Sequence, residues 1–206
     1  MPYKTVLEPA SDSLVIEKSE FIAKISPVKT SEEAAAFIDS VRSEHRRARH
    51  NCYAYTLREG FETRFSDDGE PQGTAGQPIL EVIQKSGLSD VCVVVTRYFG
   101  GILLGKGGLT RAYSSSAAKA VAAAKIRLMN EAKNVTAVFD YSLYERILRL
   151  LPEFEVKTVG QDFSDSVTLN LLVKEDIAES FCLKLKDVSN GKIKTELSET
   201  FFADFA

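Results

Sequence analysis

Val91-Cys92-Val93-Val94-Val95-Thr96 is the stretch on which the fold turns. A strand with one wet face alternates apolar and polar residues; this one does not, which predicts a strand covered on both faces. It runs directly into Arg97-Tyr98-Phe99-Gly100-Gly101-Ile102-Leu103-Leu104-Gly105-Lys106-Gly107-Gly108, after which Leu109–Lys125 reads as a long Ala-rich helix. Upstream, Lys4–Leu7, Ser13–Glu17, Phe21–Ile25 and Cys52–Leu57 have strand character. A helix is predicted from a Thr30 cap to about Arg47, with acids in its first turn. Ser66–Gly76 is a long loop of turn residues, and Ile79–Ser86 a helix that Gly87 can close. The first part is therefore a sheet with helices.

Downstream the pattern is more regular. Val135–Phe139, Glu155–Val159, Val167–Val173 and Lys192–Phe201 read as strands, with helices over Tyr144–Leu151 and Asp176–Val188. That order, βαββαβ, is the ferredoxin-like split motif. The boundary is placed near Met129–Glu131, giving domains 1–130 and 131–206 without a Pro/Ser-rich linker.

Composition narrows the class. The 206 residues are 44% apolar and 27% charged, as in ordinary globular proteins. The longest apolar run in a strand-like stretch, Val91–Val95, is far short of the roughly 20 residues that span a bilayer, and no signal-peptide core opens the chain. Cys52, Cys92 and Cys182 are odd in number and far apart, which argues against a disulfide framework or zinc knuckle and predicts a cytoplasmic setting. The net charge of −3 argues against a protein that coats nucleic acid with a uniform field. It hides an asymmetry, +2 over residues 1–130 and −5 over 131–206.

Three stretches bear on chemistry. The glycine-rich turn, with Gly105, Gly107 and Gly108 opening a helix, offers free amides to an anion, and Arg97, Lys106 and Arg111 offer charge. Gly100-x4-Gly105-Lys106 matches a P-loop in outline, but Gly107 stands where Ser or Thr must reach Mg²⁺. A turn that only packs a helix on a sheet is the plain alternative. The second stretch holds Arg46, Arg47, Arg49 and His50 ahead of a strand with two tyrosines, a pattern suited to phosphate contact and base stacking. Its alternative is a solvated basic helix end. The third, Asp67-Asp68-Gly69-Glu70, lacks the EF-hand spacing and reads as an ordered turn or, with Thr74, as one wall of a cleft.

Taken together, His45-x4-His50-Asn51-Cys52-Tyr53, Ser66-Asp67-Asp68-Gly69-Glu70-Pro71-x-Gly73-Thr74-Ala75-Gly76 and Val94-Val95-Thr96-Arg97-Tyr98-Phe99-Gly100-Gly101 through Arg111-Ala112-Tyr113 resemble the YigZ/IMPACT family. The resemblance covers roughly residues 15–125 and implies an α+β protein. Its N-terminal domain is expected to be a two-layer α/β sandwich similar to domain IV of elongation factor G, followed by the smaller ferredoxin-like domain. The family's eukaryotic relative implies a link to translational control.

The expected function is a non-enzymatic binder of RNA or the ribosome. Arg46, Arg47, Arg49, His50, Arg97, Tyr98, Gly105, Lys106, Gly107, Gly108 and Arg111 form its binding set. No cofactor, metal or membrane is expected, and the acidic second domain is a candidate surface for a protein partner. The alternative is an enzyme acting on a small phosphorylated or peptide substrate, with His50 as base and Asp67, Asp68 and Glu70 beside it.

Overall fold

The computed structural model describes residues 1–205, which form two compact units, Tyr3–Arg127 and Leu128 onward together with Met1–Pro2.

The first unit runs β1 (Tyr3–Val6), β2 (Ala10–Ile16), β3 (Ser19–Pro27), α1 (Ser31–Glu44), β4 (His50–Thr56), β5 (Thr63–Ser66), α2 (Gly76–Lys85), β6 (Val91–Tyr98) and α3 (Gly105–Ala123). Five strands make an antiparallel sheet in the order β2-β3-β6-β4-β5, so the valine-rich strand lies at its centre. Strand parity divides its side chains. Val91, Val93 and Val95 join Phe21, Ile25 and Ala54 against Ile79, Ile83, Tyr113 and Ala117 of α2 and α3. Cys92 and Val94 join Tyr55 against Ala34, Ile38 and Val41 of α1 on the other face. Every residue of β6 but Tyr98 is buried, as the unbroken apolar run predicts.

Local chemistry sets the ends. Thr30 Oγ1 accepts the Glu33 amide at 3.2 Å and the Glu33 carboxylate accepts the Lys29 amide at 2.7 Å, fixing the start of α1. Helix α1 stops at Glu44, so Arg46 and Arg47 lie beyond it in the turn before β4. Helices α2 and α3 begin three and four residues earlier than their apolar periodicity indicates, because both recruit glycines into the first turn.

In the second unit, β7 (Ile126–Phe139), α4 (Tyr144–Leu150), β8 (Val156–Phe163), β9 (Val167–Lys174), α5 (Glu175–Val188), β10 (Lys194–Leu197) and β11 (Phe201–Asp204) follow in order. Antiparallel pairing places β10 beside β7, β7 beside β9 and β9 beside β8, the ferredoxin-like arrangement. Val135, Ala137, Phe139, Leu169 and Leu171 pack on Ile147, Phe181 and Leu185. Two differences from the sequence reading stand out. Strand β7 starts at Ile126, directly after α3, and runs unbroken through Met129–Glu131. The last strand is two, β10 and β11, both laid along β7, whose 14 residues are long enough for both. Among the described residues no helix is long and apolar enough to cross a membrane.

Candidate functional site at one end of the first sheet

Register brings the sequence motifs to one place. Glu20 of β3 lies opposite Tyr98 of β6, His50 of β4 opposite Arg97, and Ser66 of β5 opposite Tyr53 of β4. The Glu17–Lys18 turn, the Arg46–Arg49 segment, the loop after Ser66 and the turn after Tyr98 therefore all leave the same end of the sheet.

The acidic loop is held by its own carboxylates. Asp67 accepts the amides of Gly73, Ala75 and Gly76 at 2.8, 3.0 and 2.8 Å, and so caps α2 from nine residues upstream. Asp68 accepts the Asn51 amide at 2.7 Å and Arg42 Nη2 at 2.9 Å, while its carbonyl takes the Nδ1 proton of His50 at 2.8 Å. The third carboxylate, Glu70, is buried at 4% exposure and accepts both Arg97 Nη1 at 2.7 Å and the Tyr113 hydroxyl at 2.8 Å. Thr74 is buried and donates to the Pro71 carbonyl. Gly76 is required by space: a Cβ there would lie 2.7 Å from the Ser66 backbone. Burial, with the Asp67, Asp68 and Glu70 charges nearby, raises the Cys52 thiol well above its ordinary value, leaving it a neutral donor to the Asp67 carbonyl.

Arg97 corrects an expectation. Anticipated as a neutralising cation for a ligand, it is 7% exposed and its charge is met inside the protein by Glu70. Its Nη2 also reaches Ser19 Oγ at 3.4 Å, and its guanidinium lies over the Phe21 and Phe99 rings at 5.5 and 5.4 Å from their centroids. Parity could have foretold this, since Arg97 continues the Val91, Val93, Val95 face; its partner 27 residues upstream carried no such signal. Tyr98, on the opposite face, shares a 3.0 Å hydrogen bond with His45 Nδ1. Ser19, Arg42, Asn51 and Tyr113 are the supporting residues the sequence reading did not single out.

The glycine-rich turn is pinned at its start and open at its end. A Cβ on Gly100 would sit 2.0 Å from the Lys18 carbonyl carbon, and the Gly100 amide donates to Ser19 Oγ at 3.1 Å. Further along, Gly105, Lys106 and Gly107 are exposed, no side chain caps α3, and no acid stands in its first turn. Arg111 is exposed, with its guanidinium next to Gly107. Arg46, Arg47 and Arg49 are exposed too, Arg46 donating to the Ser43 carbonyl. Among the described residues no carboxylate pairs with Arg46, Arg47, Arg49, Lys106 or Arg111, and no group of three or more His, Cys, Asp and Glu is placed to hold a metal ion.

Comparisons with known proteins agree with the motifs that gather here. The Impact N-terminal domain family matches residues 17–121, and a domain of unknown function, DUF1949, matches residues 138–192. IMPACT family member YvyE of Bacillus subtilis is 37% identical over 99% of this chain and 94% of its own length. IMPACT family member YigZ of Escherichia coli is 36% identical over 91% and 95%. A crystal structure described as that of a hypothetical protein superposes with a TM-score of 0.63 at 33% identity, covering 96% of this chain and 98% of that one. The match to the Impact domain takes in the Arg46–His50 segment, the capped acidic loop and the glycine-rich turn. With both parts of the chain matched in order by full-length relatives, the protein belongs to the IMPACT family.

Proposed function

We propose that the protein binds RNA, free or within the ribosome, through this end of the first sheet and acts in translational control without chemistry of its own. The observation that carries the reading is the contrast among its cations. Arg97 and Arg42 are engaged by carboxylates, whereas Arg46, Arg47, Arg49, Lys106 and Arg111 are exposed, without acidic partners, on segments that leave the sheet together. Cations so arranged suit a polyanion that spans several segments, and phosphate neutralisation with counterion release is the expected driving force. The uncapped start of α3 adds amides at the positive end of a 19-residue helix. The family resemblance to a translation regulator points the same way.

The reading as an enzyme is weaker on one specific ground. The carboxylates meant to serve His50 are already occupied: Asp67 by three amides, Asp68 by Arg42 and Asn51, Glu70 by Arg97 and Tyr113. Lys106→Ala combined with Arg111→Ala is expected to weaken binding of a structured RNA and to reduce its log–log salt slope by about 1.4 to 1.8, two phosphate contacts' worth. Fluorescence polarisation between 50 and 200 mM salt measures both; an unchanged slope in a folded double variant refutes the assignment.

A further inference from the structure

We propose that Phe99 is a preorganised stacking platform that selects unpaired bases, so that the RNA recognised here is single-stranded at the point of contact; this rests on the RNA-binding reading above. Phe99 is 53% exposed although only Tyr98 separates it from the buried run Val91–Arg97, and it is held from within. The Arg97 guanidinium lies over its ring at 5.4 Å. That guanidinium is itself fixed by Glu70 and Ser19, and Glu70 is fixed by Tyr113. An arginine whose charge is met internally is poorly suited to gripping phosphate, but a planar cation held in place is well suited to fixing an aromatic ring. Arg97 is thus a positioning residue, and the Gly100 backbone locked against Lys18 prevents the segment from swinging away.

The turn that follows adds apolar surface, Ile102 and Leu103 at 38% and 86% exposure, and then the cations Lys106 and Arg111. A protein exposing one aromatic and two aliphatic residues beside unpaired cations matches a ligand with flat apolar faces and a charged backbone. Single-stranded RNA has that chemistry, whereas in an A-form duplex the base faces are stacked away.

The test uses the full chain and three labelled probes: a U12 oligonucleotide, an abasic 12-mer of equal charge, and a 12-base-pair RNA duplex. The wild type is expected to bind U12 more tightly than the abasic strand and the duplex. Phe99→Ala should lower U12 affinity about 5- to 150-fold, the range for losing one base–aromatic stack, leave abasic affinity unchanged, and be rescued by Phe99→Tyr. Phe99 is half exposed, so circular dichroism should show the Ala variant folded. Equal U12 affinity in wild type and Phe99→Ala, or tighter binding of duplex than of U12, overturns the platform while salt-dependent binding keeps the RNA reading. No binding of any probe at low salt overturns both.

Discussion

The two units handle irregular backbone in different ways. In the first, nine residues between β5 and α2 are tied down by three carboxylates, two of which hold buried or partly buried arginines. In the second, the connections are short and close on their own backbone: Ser164 bonds Ser166 between β8 and β9, and Asn190–Gly191, both at positive φ, turn the chain after α5. Leu169, Leu171, Phe181 and Leu185 make its core without help from buried ions. A chain keeps buried charge pairs at a cost in desolvation. The Arg97–Glu70 and Arg42–Asp68 pairs surround the segments that carry the exposed cations and Phe99, and buried Asp90 pairs with Arg58 at the opposite end of the same sheet. The first unit thus holds its irregular backbone with buried charge, and the second holds its fold with regular packing.

The largest expected effect breaks that difference at its centre. Glu70→Ala leaves the Arg97 charge buried and unpaired and should cost about 3 to 5 kcal/mol in urea unfolding. Removing both charges, as Glu70→Leu with Arg97→Met, should recover much of the loss, with the Tyr113 hydroxyl still without Glu70. If Glu70→Ala alone costs under about 1 kcal/mol, the pair is a surface-like contact and the distinction between the units fails.

A smaller effect separates glycines of the two units. Gly100→Ala drives a methyl into the Lys18 backbone, which cannot yield without moving the β2–β3 turn, and is expected to cost about 1 to 3 kcal/mol. Gly160→Ala meets only the Asn170 side chain at 3.4 Å and should change stability by less than about 0.5 kcal/mol. Thermal melts of the two variants decide it; equal losses would show the close approach at Gly100 to be accommodated.

What the residues reveal in advance follows the same division. The ferredoxin-like unit is readable because each of its elements is specified by its own periodicity, and βαββαβ order leaves few ways to pair. Strand β6 is readable for the same reason. The start of α2 is not, because its cap, Asp67, stands nine residues upstream and no local pattern connects the two. The split of the last strand is hidden as well, since Ser198–Thr200 interrupts the ladder without Gly or Pro to mark it. At the site, the residue types were visible but not their division of labour. Arg97 and Lys106 look alike in a list of cations; only the fold shows that one faces Glu70 and the other faces solvent. Long-range pairing, not local propensity, decides which charges are left for a ligand.

The smallest effect sharpens the comparison through pH. Burial raises the thiols of Cys52 and Cys92 in the first unit and of Cys182 in the second, and holds Tyr55 up to about 12 with the Glu62 carboxylate adding to it. For an acid raised in the folded state, the unfolded chain releases its proton first as pH climbs, so the unfolded state holds fewer protons and stability falls with rising pH. The thiol contributions are complete below their ordinary value near 9 and begin to be lost there, at about 0.4 kcal/mol each for Cys52 and Cys92 by pH 9. Tyr55 joins between its ordinary 10 and about 12. Between pH 7 and pH 9 the first unit, with two such thiols, should lose at least twice what the second loses with one. Urea titrations at both values, with aliquots returned to pH 7.5 for brief alkylation and the modified cysteines located by mass spectrometry, report each unit through its own thiols. A larger shift for Cys182 than for Cys52 and Cys92 would reverse the prediction. Coincident curves for all three would show that the two units open as one block, and the contrast between them would then be one of local packing alone.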